Sequence, residues 1–297
     1  MVNGFYVQDA NQLIRKRNLQ YVLVALFIVV NIFIWSAVAH ADRRGLLTVA
    51  FLDVGQGDAI YIEAPNGNQM LIDGGPSSGA LLRAIGQVMP FWDRSLDVVL
   101  ATHPDQDHVG GFPALLESMN IENVVTTENT ATTGAYRAFE DGVFEEGAHC
   151  VLARAGERII LDDGVVLEVL FPNKNAKGWD TNTSSIVARL SYGSTSFLLT
   201  GDSPQSIEQY LINKESGKIN ADVLKLAHHG SKTASSKLFL SAVDPEYAVI
   251  SVGKDNKYGH PNKEVLDLLA DFKISTLSTI DRGTILFETD GGNLYLR

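Results

Sequence analysis

The chain has 297 residues, 45% of them apolar, with 24 Lys and Arg against 35 Asp and Glu, a net charge of −11. One cysteine, Cys150, excludes an intramolecular disulfide framework and a thiolate metal cluster, and the acidic balance excludes a protein that holds nucleic acid by bulk cationic charge. Apolar content and 26 Gly argue against disorder and for a folded body.

Residues 19–39 are apolar except for Gln20, Asn31 and Ser36. At 1.5 Å rise per residue this run reaches about 31 Å, the thickness of a hydrocarbon core. Arg15, Lys16 and Arg17 precede it and favour a cytoplasmic N-terminus with an exported remainder, although Arg43 and Arg44 follow. We expect a cytoplasmic tail over 1–18 and, over 19–40, either an uncleaved membrane anchor or a signal segment cut after Ala39-His40-Ala41. A buried core helix is the third reading. Residues 1–44 hold five basic and two acidic residues, which leaves 19 against 33, or −14, for the rest.

No linker, repeat or low-complexity stretch divides residues 45–297, so they read as one domain. Strands are predicted over 46–53, 59–64 and 70–73, the last two joined by a turn at Pro65-Asn66-Gly67-Asn68. A helix over 81–89, a strand over 96–102, a helix over 109–119, a short strand over 124–127 and a helix over 136–144 follow. Asp162-Asp163-Gly164 marks a hairpin between 159–161 and 165–171, and Gly193 lies between strands 186–192 and 196–200. Strands 223–227, 247–252 and 274–278 then alternate with helices 206–212, 237–242 and 264–272. Two groups of strands with helices among them imply an α/β fold of two sheets between helical layers.

The segment His103-Pro104-Asp105-Gln106-Asp107-His108 puts four metal-capable side chains within six residues, where a strand ends and a helix begins. Histidine and carboxylate together suit divalent transition ions. The competing reading is a strand-end turn with a helix cap.

With Gly110-Gly111 this segment resembles the signature of the metallo-β-lactamase fold, whose usual form has His at the position of Asp105. Thr200-Gly201-Asp202 and His228-His229-Gly230-Ser231 follow in the order of that fold's later motifs. With Phe51–Ala59 (FLDVGQGDA), Ile72-Asp73-Gly74-Gly75 and Tyr258-Gly259-His260-Pro261, the body over about 47–289 resembles the hydrolase domain of the ComEC-type competence proteins, without their multi-span channel domain. The resemblance implies an αββα four-layer sandwich (the metallo-β-lactamase fold) preceded by one N-terminal transmembrane helix.

It also implies two divalent metal ions: one held by His103, Asp105 and Asp202, with Asn182 near it, and one held by Asp107, His108, His228 and bridging Asp202. The oxygen-rich set admits Mn²⁺ or Mg²⁺ beside Zn²⁺. Strand alternation lets one of His228 and His229 face the site; we take His228, with the two roles exchangeable. His229 and His260 are then expected to serve substrate or leaving group, with Asp107 catalytic. Asp202 also reads as a cap for the helix near Pro204, and His260 as a loop residue packed by Pro261. Asp73 is expected beneath the ligands. Asp53 and Asp58 flank Gly55-Gln56-Gly57 as a turn or phosphate cradle, and Ser231 and Lys232 lie close to the His pair. Lys225, Lys232, Lys237, Lys254 and Lys257 read as a solvated face or as contacts for substrate phosphate, and His149 and Cys150 as packing residues in a strand.

Three functions compete. The first is a metal-dependent phosphodiesterase or nuclease on single-stranded DNA outside the cytoplasm, working with a separate DNA-channel protein. The second is a hydrolase of a cell-envelope phosphodiester, ester or lactone. The third is an envelope binding module with a degenerate metal site. β-Lactam hydrolysis is disfavoured, because His is depleted from the first ion position.

Overall fold

Apolar residues on both faces of the first strand require a sheet covered on both sides. In the computed structural model, which describes residues 10–42, 45–254 and 256–297, that is where the strand lies. The chain divides into two units, Met1–Arg44 and Gly45–Arg297.

The first unit is a helix, Ala10–Asp42. Its stretch Arg15–Trp35 is long and apolar enough to cross a membrane. The large apolar side chains from Leu19 to Trp35 are exposed. Of the expected tail, residues 1–9 lie outside the described residues, and 10–18 are already helical. The side chains at the expected cut, Ala39-His40-Ala41, also lie outside them.

In the second unit β1 (Leu47–Phe51), β2 (Ile60–Glu63), β3 (Gln69–Ile72), β4 (Ser95–Leu100), β5 (Asn120–Thr126) and β6 (His149–Leu152) belong to one sheet. A second sheet takes β7 (Arg158–Asp162), β8 (Val165–Phe171), β9 (Val187–Tyr192), β10 (Thr195–Leu199), β11 (Val223–Lys225), β12 (Tyr247–Ile250) and β13 (Ser275–Ser278). The chain then returns to the first sheet with β14 (Ile285–Thr289) and β15 (Leu294–Leu296), giving the orders β15-β14-β1-β2-β3-β4-β5-β6 and β13-β12-β11-β10-β9-β8-β7.

Val49 and Phe51 point between the sheets with Phe197, Val223 and Phe287, while Ala50 and Leu52 face the helices outside. Phe287 meets Phe51 and Phe197 edge-on, at 6.2 and 5.9 Å between centroids, and so joins the layers. Helices Ser78–Ile85, Phe112–Ser118 and Gly134–Glu146 cover the first sheet, and Gln205–Lys214, Lys237–Val243 and Lys263–Asp271 cover the second. The result is the four-layer αββα sandwich.

Four local readings change. The helix expected over 109–119 is two pieces, Gln106–Val109 and Phe112–Ser118, parted at Gly110-Gly111, where a Cβ on Gly111 would strike the carbonyl of Gly74. The strand expected over 223–227 stops at Lys225. β14 and β15 were not expected. His149 and Cys150 are exposed rather than packed, because β6 is an edge strand.

Candidate metal centre and active site

β3 to β6 run parallel in one sheet and β10 to β13 in the other. Parallel strands deliver their C-terminal loops to one edge, where open α/β sheets build their sites. The loop after β4 carries His103, Asp105, Asp107 and His108, the turn after β10 carries Asp202, and the turn after β11 carries His228 and His229.

Neither Asp105 nor Asp202 caps a helix through its side chain. Asp105 precedes helix Gln106–Val109 but makes no side-chain cap bond; its Oδ2 accepts from Thr181 Oγ1 at 2.9 Å. The helix after Asp202 has Pro204 at its N-cap and no side-chain cap bond. Asp202 Oδ1 lies 3.4 Å from His108 Nε2, and its Oδ2 lies 3.6 Å from His229 Nε2 and 3.9 Å from His228 Nε2. Asp107 Oδ2 is 3.2 Å from His229 Nε2. Asp107, His108, Asp202 and His229 each offer a donor atom within 4.8 Å of the others.

The histidines are held from behind. His108 Nδ1 lies 2.7 Å from Asp73 Oδ2, and His229 Nδ1 lies 2.9 Å from the Ser251 carbonyl, which can only accept. Thr102 Oγ1 donates to Asp73 Oδ2, which turns its lone pairs to His103 Nδ1 at 3.0 Å. Bonds at Nδ1 leave the Nε2 atoms aimed at the cluster, the arrangement by which neighbouring groups orient imidazole ligands. His103 Nε2, His108 Nε2 and Asp202 Oδ1 are buried and have no hydrogen-bond partner. Buried polar atoms left in this state call for a partner, and nitrogen and carboxylate oxygen suit a divalent ion. The residues fit the ion.

Electrostatics agrees. Burial disfavours a charged His229 ring, but the carboxylates of Asp202, Asp107 and Asp58 outweigh it and push the imidazole up to about 10. His108 is raised against its own burial by Asp202 and Asp73, and Asp202 is held well below the usual carboxylate range by His229 and His108, which outweigh its burial. Burial and the neighbouring His108 bring His103 down to about 3, so its ring is neutral. An ion must therefore displace protons from His229 and His108. Ion affinity is expected to rise by one to two decades per pH unit, roughly one decade for each proton released, between pH 6 and 8. Calorimetric titrations with Zn²⁺ or Mn²⁺ at three pH values check this, and a flat profile contradicts it.

A cavity of about 190 Å³ is lined by Asp105, Asp107, Asp202 and His229, with Gln56, Asn182, His228, Tyr258 and His260. Asp73 is buried against His108. Asp53 is exposed and takes the Gly55 N–H at 3.2 Å, so it closes its own turn and stays out of the cluster. Ser231 Oγ faces Thr233 Oγ1 at 2.9 Å, and exposed Lys232 is tied by its N–H to Asn262.

His229, not His228, belongs to the four-donor group. Alternation failed because the strand ends early. Residues Ala227–Gly230 form a tight turn in which His228 and His229 have φ of 50° and 54°, and it swings His229 inward while His228 stays at the rim. Such left-handed backbone at non-glycine residues costs about 1–3 kcal/mol and persists where the surroundings enforce it.

Lys225 is not part of a solvated face. It is fully buried, with Nζ 2.6 Å from Asp58 Oδ2 and 3.0 Å from the Leu226 carbonyl. Asp58 Oδ1 in turn lies 3.3 Å from His229 Nδ1, so Asp58 supports a histidine. A charge inside the apolar run Val223-Leu224-Lys225-Leu226-Ala227 was the signal, since a buried ammonium demands a partner. Gly57, at φ +138°, lets this loop touch the other: a Cβ there would strike the Asp107 carbonyl. Gln56 was also missed; its Oε1 accepts from Gly253 N–H at 3.2 Å, and its Nε2 is buried without a partner.

Residues 52–254 match the model of the metallo-beta-lactamase superfamily. The chain belongs to this superfamily. It is 32% identical over 255 residues to ComE operon protein 3 of Bacillus subtilis, a match covering 80% of this chain and 32% of the relative. To competence protein ComA of Neisseria gonorrhoeae it is 33% identical over 246 residues, covering 83% and 33%. The chain thus spans about a third of the length of these curated relatives. The metallo-beta-lactamase fold protein YhfI of Bacillus subtilis superposes with a TM-score of 0.51 at 12% identity, covering 78% of this chain and 95% of that one, which shows the fold. Family membership and donor cluster together support a metal-dependent hydrolase.

Proposed function

We propose that residues 45–297 are a metal-dependent phosphodiesterase that cleaves single-stranded DNA outside the cytoplasm, anchored through the N-terminal helix and working beside a separate DNA-channel protein. The observation that carries the reading is the group Asp107, His108, Asp202 and His229, of which Asp107, Asp202 and His229 line a narrow polar cavity. Similarity to relatives named for competence supports DNA as substrate. Asp107, His108, Asp202 and His229 would hold one divalent ion, and His103, Asp105 and Asp202 a second. When bound, the ions supply Lewis acidity and an activated water.

The remaining work falls to the chain itself. Gln56 Nε2 gives a hydrogen bond to a non-bridging phosphate oxygen. Burial, with His228 and His229 close by, holds His260 below the usual imidazole value, so its ring is neutral and carries one N–H. We assign that N–H as a hydrogen-bond donor to the leaving oxygen, which takes its proton from solvent water. Asp58, Asp73 and Ser251 hold His229 and His108 in line throughout.

The test incubates the full chain in detergent with Mn²⁺ or Zn²⁺ and end-labelled single-stranded DNA, beside duplex DNA and a panel of esters and lactones. The expected result is cleavage of the single strand that stops on chelation. Hydrolysis confined to esters or lactones, or none by folded and ion-loaded protein, overturns the proposal.

A further inference from the structure

Tyr258 stands at the rim of the cavity with 69% of its surface exposed. An aromatic ring so open to water usually rides on a mobile loop, but this loop is braced. Asn256 Nδ2 donates to the carbonyls of Gly253 and His260 at 2.9 and 2.8 Å, and His260 N–H donates back to Asn256 Oδ1 at 3.0 Å. Asn262 Nδ2 donates to the Gly259 carbonyl at 3.1 Å, and Asn262 also receives the Lys232 N–H, which ties in the loop that carries the histidine pair.

The rings form a series leading outward from the donor cluster. His228 meets His260 edge-on at 5.4 Å and 77°, and His260 lies nearly parallel to Tyr258 at 5.7 Å and 23°. Tyr258 thus continues outward from the histidines as a flat, exposed surface on a braced loop. Lys257 and Lys254 on the same loop and Lys232 on the neighbouring one are exposed. An aromatic plane flanked by ammonium groups is the combination that receives a base together with its backbone phosphates.

We infer that Tyr258 is a stacking platform for the nucleobase adjoining the phosphate held in the cavity, so that the site takes nucleotide phosphodiesters whose bases are unpaired. A base inside a duplex is already covered on both faces and cannot reach Tyr258 without leaving its stack. The inference rests on the phosphodiesterase reading and specifies what that site recognises.

The test compares wild type, Tyr258→Ala and Tyr258→Phe as full chains in detergent with Mn²⁺. Fluorescence anisotropy in the first seconds after mixing reads binding of a labelled oligothymidylate and of an abasic oligonucleotide of equal length and charge. Base–aromatic stacking predicts that wild type and Tyr258→Phe bind the thymidylate roughly 5- to 100-fold more tightly than the abasic strand. Tyr258→Ala is expected to bind both as wild type binds the abasic strand. Equal weakening toward both strands in Tyr258→Ala overturns the platform, as does a wild type that binds both strands alike or neither. Cleavage, followed separately, distinguishes the two claims. Tyr258-dependent binding without cleavage overturns the nuclease reading and keeps the platform. Cleavage without Tyr258-dependent binding does the reverse.

Discussion

Asp202→Asn is expected to lower hydrolysis by at least about 10³-fold and to strip the protein of most of its ion. Asp202 is the residue on which the cluster converges: one oxygen faces His108 Nε2 at 3.4 Å, the other faces His229 and His228 at 3.6 and 3.9 Å. Its position is fixed from behind, since Asp202 N–H donates to Ser185 Oγ at 3.2 Å. The amide keeps the shape, so the fold should survive. What it loses is the negative charge that two histidines and an ion are built around. Loss of one preorganised electrostatic partner costs about 10²–10³ in rate, and here ion retention falls with it. Elemental analysis of the purified variant beside its turnover on single-stranded DNA checks both parts. Asp53→Asn is the control: Asp53 is exposed outside the cluster, and its substitution should leave the rate within about twofold. An Asp202→Asn protein that keeps ion and rate contradicts the assignment.

The second large effect is on stability. Lys225→Met leaves Asp58 as a buried carboxylate facing an apolar side chain. Burial alone would raise the Asp58 pKa; the Lys225 ammonium first, and then the His229 and His108 rings, hold it well below the usual range. Removing one partner of a buried pair costs about 3–5 kcal/mol, which for a body of this size lowers the melting temperature by roughly 6–20 °C. Asp58→Asn added to Lys225→Met removes the stranded charge and should restore part of the loss. Thermal denaturation followed by circular dichroism measures both. A fall of only a degree or two in Lys225→Met would show that water reaches the pair.

Most strands and helices were legible because buried strands carry runs such as Val98-Val99-Leu100 and Phe197-Leu198-Leu199 between clear turn signals. β14 was not, since its apolar run is only Ile285-Leu286-Phe287 and its place beside β1 depends on a pairing between the ends of the body. The site was legible in its residue types but not in its local backbone. Asp107, His108 and Asp202 fall in one donor group, and His103 Nε2 lies 3.7 Å from Asp105 Oδ2. The choice between His228 and His229 turned on two left-handed residues that alternation cannot foresee. Lys225 was misread because its partner, Asp58, lies 167 residues away in sequence.

The donor cluster draws Asp107 and His108 from the end of the first sheet and Asp202 and His229 from the end of the second. An ion seated among them is a clasp across the mouth of the sandwich, whereas the interior between the sheets is filled by an apolar cluster. Binding to the native state at a thousandfold excess over the dissociation constant adds about 4 kcal/mol to its stability, and this energy is spent on holding the sheets shut. Scarcity of the ion would thus shorten the lifetime of the fold as well as slow the chemistry, so that one nutrient sets both how fast the protein works and how long it lasts.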